Sequence, residues 1–157
     1  MNRVLDRTSA EEIQRIGVHT CPGGDLDSTH SADVDYADLL PDLFALNAGN
    51  FFIALAGEQD RAGSCASFGN APNPISASLS ASLTRLRRQW ESPEQVRDRV
   101  LEAAEFIAPG RLGTTDDCGF SPFGDDTSTA RDIAFEKIRA RVLGTALATE
   151  KLGLKPR

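Results

Sequence analysis

Apolar residues at helical spacing, Tyr36, Leu39, Leu40, Leu43 and Phe44, predict a helix from Tyr36 to Asn47. Pro41 falls in its first turn or so, where the missing N–H costs least. Ala48-Gly49-Asn50 ends that helix, and Phe51 to Ala56 follows as a continuous apolar strand. A strand without polar alternation is usually buried on both faces, as in parallel sheets covered by helices. Upstream, Ser9-Ala-Glu-Glu12 caps the end of a helix over 9–15, and Ile16 to Thr20 reads as a short strand that stops at Cys21-Pro22-Gly23-Gly24. Residues 22–35 form a polar loop longer than a simple connector requires.

The later half keeps the same rhythm. Ser92-Pro93-Glu94-Gln95 is a capping box with proline at the first helical position, opening a helix that runs to about Ile107. Its buried side is expected to hold Val96, Val100, Leu101, Ala104 and Ile107. Leu112 to Asp117 is a strand ending at Cys118-Gly119. After a loop, a long helix spans about Ser128 to Leu152, with an apolar stripe of Ile133, Phe135, Ile138, Val142 and Leu147. Strands alternating with helices indicate βα units on a parallel sheet, hence an α/β fold.

Residues 61–90 break the pattern. RAGSCASFGNAPNPISASLSASLTRLRRQW has no helical or strand period and is swollen with Ser, Ala and Arg. A low-complexity linker is one reading, but a structureless insert of this length is out of place in a compact α/β domain. A compensated pair of frameshifts is the other. Read one base out of frame with GC-rich wobble choices, residues 62–83 can be recoded as RVLRLIRERPEPDQRVFVGVTD. That peptide is a helix segment, a turn and a buried strand, the βα piece the rhythm lacks. On this reading Cys65 and Trp90 are incidental.

The chain has 157 residues, 40% hydrophobic and 25% charged, as expected of one globular domain. Its 23 acidic and 17 basic residues give a net charge of −6, which argues against nucleic acid or an anionic membrane as a partner. Arg85, Arg87 and Arg88 are accordingly read as a solvated cluster. No apolar run reaches the roughly 18 residues of a membrane span, and the N-terminus lacks a signal-peptide layout. Three cysteines suit a reducing cytoplasm better than a disulfide scaffold.

With only His19 and His30 available, histidine chemistry must use one of them. On an extended strand His19 and Cys21, two residues apart, point the same way and can reach one metal. Imidazole and thiolate both suit Zn²⁺, at about 2.0–2.1 Å and about 2.3 Å. A packed structural pair is the plainer alternative. Cys118 ends a later strand, and in a parallel sheet or barrel the C-terminal strand ends share one face, so the three donors are expected to converge. Three protein ligands with an open position is a catalytic zinc layout, and a thiol entering that position loses its proton.

Val18-His19-Thr20-Cys21 with Asp117-Cys118-Gly119 resembles the zinc-binding barrel domain of cobalamin-independent methionine synthase, especially the short single-domain members of that family. The similarity covers residues 9–60 and 91–153, with the anomalous 61–90 between. It implies the C-terminal half of a (β/α)8 TIM barrel, about four βα units with the third disrupted, in one partial domain over 1–157. It further implies methyl transfer from methyltetrahydrofolate to a homocysteine thiolate on zinc, and maps the metal ligands onto His19, Cys21 and Cys118. The family's Glu ligand has no counterpart within Phe51–Ala56; Glu58, slightly beyond, is the candidate.

A full barrel needs about 250 residues. The absent strands contribute much of the substrate contact, so the isolated chain is expected to turn over little and to expose sheet edges that favour self-association or pairing with a separate N-terminal half-barrel. A non-catalytic remnant that holds metal at most is the alternative. A folate-independent relative acting on another thiol is a third.

Other residues have local readings. His30 is the candidate proton shuttle or substrate contact, or simply a solvated loop histidine. Asp25, Asp27, Asp33 and Asp35 lack EF-hand spacing and read as loop and helix caps. Asp116 and Asp117 either orient a metal ligand or complete strand-end hydrogen bonding. Asp125 and Asp126 cap the last helix, and Ser28 lacks a nucleophile-elbow context.

Overall fold

The computed structural model describes residues 1–20, 36–55, 60–69, 76–79, 91–116 and 129–155. Four strands, β1 (Gly17–Thr20), β2 (Asn50–Ile53), β3 (Ser76–Leu79) and β4 (Leu112–Thr114), form one sheet in the order of the sequence. All three pairings are parallel, with Gly17 opposite Asn50, Asn50 opposite Ser76, and Ala77 opposite Leu112. Helices α1 (Asn2–Leu5) and α2 (Ala10–Ile13) precede β1, and α3 (Tyr36–Phe44), α4 (Arg61–Gly69), α5 (Pro93–Ala104) and α6 (Arg131–Lys151) follow the four strands in turn. The α/β alternation is as expected. The described strands make an open four-stranded sheet rather than a closed barrel.

Both capping boxes form. The Ser9 hydroxyl accepts from the Glu12 backbone N–H while the Glu12 carboxylate accepts from the Ser9 N–H, and Ser92 and Gln95 do the same at α5. Several elements are shorter than their patterns suggest: β2 ends at Ile53, β4 at Thr114, α3 at Phe44 and α5 at Ala104. Ala54, Leu55 and Ile107 remain buried just outside them, so burial of an apolar residue did not require regular backbone. Pro41 lies further into α3 than its first turn.

The core lies between the sheet and helices α3 to α5. Leu40 and Phe44 of α3 meet Phe51 and Ile53 of β2, Cys65 and Phe68 of α4, and Ala103 of α5. The Phe44 ring stands edge-on to Phe51 at 5.4 Å and to Phe68 at 4.9 Å, a geometry aromatic quadrupoles favour.

The stretch that lacks a periodic pattern therefore contributes a helix and a central strand. Asp60 starts α4 by accepting from the Gly63 backbone N–H at 2.8 Å. Cys65 is buried in the core. β3 is held by main-chain pairing to strands on both sides, which side-chain periodicity does not report. The recoded peptide puts its helix and strand at nearly the same positions as α4 and β3, but it places arginine at 65 and 68, both buried here.

The last helix corrects a second expectation. Phe135 and Val142 are exposed, and the face turned inward is Lys137, Ala140, Gly144 and Ala148. Close approach to α5 decides this: Ala148 packs on Val96 and Val100, and a seam of small residues at four-residue spacing lets the helices come together. Among the described residues, no helix is long and apolar enough to cross a membrane.

Candidate functional site

Because the strands are parallel, their C-terminal ends lie along one side of the sheet, the side on which α/β proteins build their sites. The opposite, N-terminal end is stitched for stability. The Asn50 side chain donates to the Gln14 carbonyl at 2.9 Å, and Gly49 N–H donates to the Ile13 carbonyl at 3.0 Å. Asn2 adds a donor to the Ala45 carbonyl and an acceptor for the Asn47 N–H.

His19 lies near the C-terminal end of β1. Exposure alternates along this strand, with Gly17 and His19 exposed and Val18 and Thr20 half-buried. Val18 packs toward the helix-covered core, so His19 stands on the opposite sheet face. Register puts His19 beside Phe52, whose neighbours Phe51 and Ile53 are buried on the helix side. A Cβ on Gly17 would come within 2.5 Å of the Phe52 ring, so glycine there makes room for that ring below the histidine.

At the far edge of the sheet, β4 is tied to α6 just where the chain leaves the strand. Arg141 Nε donates to both Asp116 carboxylate oxygens, at 3.1 and 3.0 Å. The Thr114 and Thr145 hydroxyls are 2.7 Å apart, and the Thr145 hydroxyl donates to the Arg141 carbonyl at 2.7 Å. The Arg141 and Asp116 side chains are only 22% and 16% exposed, so the pair is shielded from water and salt far more than a surface ion pair. Asp116 thus faces the helix layer and is engaged by a cation. Hydrogen bonding at the strand exit, one of the two roles expected of Asp116, is what this contact shows.

Of the residues the sequence assigned to a metal, His19 is described, and Cys21, Glu58 and Cys118 lie outside the described residues, as do His30 and Asp117. Asp25, Asp27, Asp33, Asp35, Asp125 and Asp126 lie outside them too. Among the described residues, no three of His, Cys, Asp and Glu gather to hold a metal ion. β1 and β4 are separated by two strands, three inter-strand steps of about 4.8 Å each. Donors from these two edges meet only if the sheet curves and the side chains lean across its mouth.

The Arg141–Asp116–Thr114–Thr145 group was not foreseen. Its signal in the sequence was an arginine set one residue after Ala140, beside a small-residue seam, in a helix that follows a strand running into Thr-Thr-Asp.

No family model and no curated protein matches the sequence. Among solved structures the chain is similar to a B12-independent methionine synthase from Shewanella sp. W3-18-1, determined in complex with selenomethionine. The TM-score is 0.68 at 16% sequence identity, over 87% of this chain and 39% of that one. This chain therefore spans well under half the length of the protein it resembles, and what the two share is the fold.

Proposed function

We propose that the chain carries part of a zinc-dependent S-methyltransferase site of the cobalamin-independent methionine synthase type, on four consecutive units of a (β/α)8 barrel. The observation that carries this reading is the parallel sheet that sets His19 and the exit of β4 at one end, in a fold similar to a B12-independent methionine synthase. In this reading His19, Cys21 and Cys118 hold Zn²⁺, Glu58 is the fourth candidate, and His30 exchanges a proton with the substrate. The donor set fits the metal: one imidazole and two thiolates are borderline-to-soft ligands that suit zinc over magnesium or calcium.

When bound, zinc supplies a Lewis acid that lowers the pKa of a coordinated thiol toward neutrality. The chain's own part is to present the donors. β1 holds the imidazole of His19 on the sheet face away from the helices, and Phe52 beside it gives that face an apolar floor. The proposed acceptor is a homocysteine-like thiol and the methyl donor methyltetrahydrofolate, in a reducing cytoplasm where cysteines do not form disulfides.

One observation favours a second reading. Among the described residues, β1 and β4 each have a strand on one side only, and the chain spans 39% of the similar structure. A half that binds metal but turns over only with complementary strands, from a separate N-terminal half-barrel or a second copy, fits those edges.

Zinc stoichiometry of the purified chain tests the site. One zinc per chain, lost in H19A, C21S and C118S, supports it; a wild-type chain that takes up no zinc overturns it. Homocysteine-dependent methyl transfer by the chain alone separates the two readings: turnover favours the complete site, and its absence with metal bound favours the half.

A further inference from the structure

We infer that two copies of this chain close head to tail into one eight-stranded barrel, β4 and α6 of each copy meeting β1 and α3 of the other. The inference rests on the half-barrel reading above and uses no metal ligand.

The sheet order carries the first step. Parallel strands that neighbour one another in sequence order, joined by right-handed crossovers, put their helices on one face only. Parallel sheets occur almost only where both faces are covered. Among the described residues, the face of this sheet away from the helices has His19 exposed and the Phe52 ring half-buried, and β1 and β4 have open edges. A closed barrel removes both edges and turns the bare face into an interior, and it takes eight parallel strands, twice the four here.

The two end helices carry the second step. Gly144 and Ala148 of α6 meet α5, and Arg141 and Thr145 meet the end of β4. Val142 comes next round the helix, roughly 60° beyond Thr145, and Phe135 lies beside it, roughly 180° from Gly144. They are 53% and 56% exposed, on the flank that lies across β4 from α5. This apolar flank and the open edge of β4 therefore belong to one surface. At the other end of the sheet α3 repeats the arrangement. Its Phe44 meets Phe68 of α4, while Leu39, roughly 140° away round the helix, is 40% exposed on the flank turned from α4.

Each end thus offers what the other lacks: a parallel edge strand followed by a helix with an uncovered apolar flank. In one chain the two ends stand three strand steps apart. In two copies related by a twofold axis along the barrel, the same junction forms twice and leaves no edge.

Sedimentation equilibrium of the full-length chain tests this, with circular dichroism to follow folding. The wild type is expected to be a dimer. Val142→Glu and Leu39→Lys are each expected to shift it to monomer. Leu143→Glu, on the side of α6 turned from β4, is expected to leave the dimer intact. An equimolar mixture of the Val142→Glu and Leu39→Lys chains is expected to dimerise again, because one junction is then wild type and the other faces glutamate with lysine. If Val142→Glu fails to fold, Phe135→Glu takes its place. A dimer lost in Val142→Glu, kept in Leu39→Lys and not recovered on mixing is held by α6 against α6, and overturns the head-to-tail contact. Open-ended assemblies of many copies overturn the closure. A wild-type monomer that takes up zinc overturns the pairing and leaves the metal reading standing; a dimer that takes up none does the reverse.

Discussion

Gly144 of α6 lies so close to Val96 of α5 that a Cβ on the glycine would sit 2.5 Å from the valine Cβ and 2.6 Å from the Pro93 carbonyl oxygen. A mid-helix glycine is ordinarily about 1 kcal/mol worse than alanine. Here alanine would meet backbone as well as side chain. Overpacking of this kind costs about 1–3 kcal/mol, so Gly144→Ala is expected to lower Tm despite its better helix propensity. Gly110, around which a Cβ meets nothing within 4 Å, serves as the control substitution and is expected to be tolerated. Thermal unfolding of the two variants decides the point.

Phe68 is 2% exposed and edge-on to Phe44 at 4.9 Å, although it belongs to the stretch without a periodic pattern. Truncating a buried phenylalanine costs about 3–5 kcal/mol. Phe68→Ala is therefore expected to unfold the chain or move its urea midpoint sharply downward. A change near zero would mean that residues 61–69 pack as a linker rather than as α4.

Two helix starts are expected to contribute to acid sensitivity. The Glu12 carboxyl is held below the usual carboxylate range by the Ser9 backbone N–H and then by the Ser9 hydroxyl. Glu94 is lowered first by its own backbone N–H and then by the Ser92 hydroxyl. A carboxyl lowered in the folded state adds stability that is present above its unfolded pKa and is lost as pH falls through the folded one. Stability is thus expected to decline from the ordinary glutamate range downward. The double variant E12Q/E94Q should flatten that decline, as read from urea midpoints across the acid range. Both groups are fully exposed, so the effect is small and shrinks with added salt.

The coding sequence offers a check independent of the protein. A compensated pair of frameshifts over 61–90 requires that the shifted frame encode the RVLRLIRERPEPDQRVFVGVTD peptide or a near variant. Sequencing that region is expected to show it, and an uninterrupted frame unable to encode it removes the idea. The burial of Cys65 and Phe68 sets the terms: the recoded helix must turn to keep arginine out of positions 65 and 68.

The sequence by itself determined the strands and helices on either side of residues 61–90, the two capping boxes and the parallel sheet. Those features arise from short-range physics: hydrogen bonds between residues three apart, and alternating runs of apolar and polar side chains. It also pointed to His19 on a strand, since two-residue alternation fixes which way that side chain faces. Tertiary structure alone decided the rest. Which face of α6 turns inward was set by how closely Gly144 lets α5 approach, and helix contact there favours small residues over large ones. β3 exists through main-chain pairing with β2 and β4, partners that are distant in the sequence. The clamp of Arg141 on Asp116 joins residues 25 apart, and only the packing of α6 against the sheet brings them within hydrogen-bond reach.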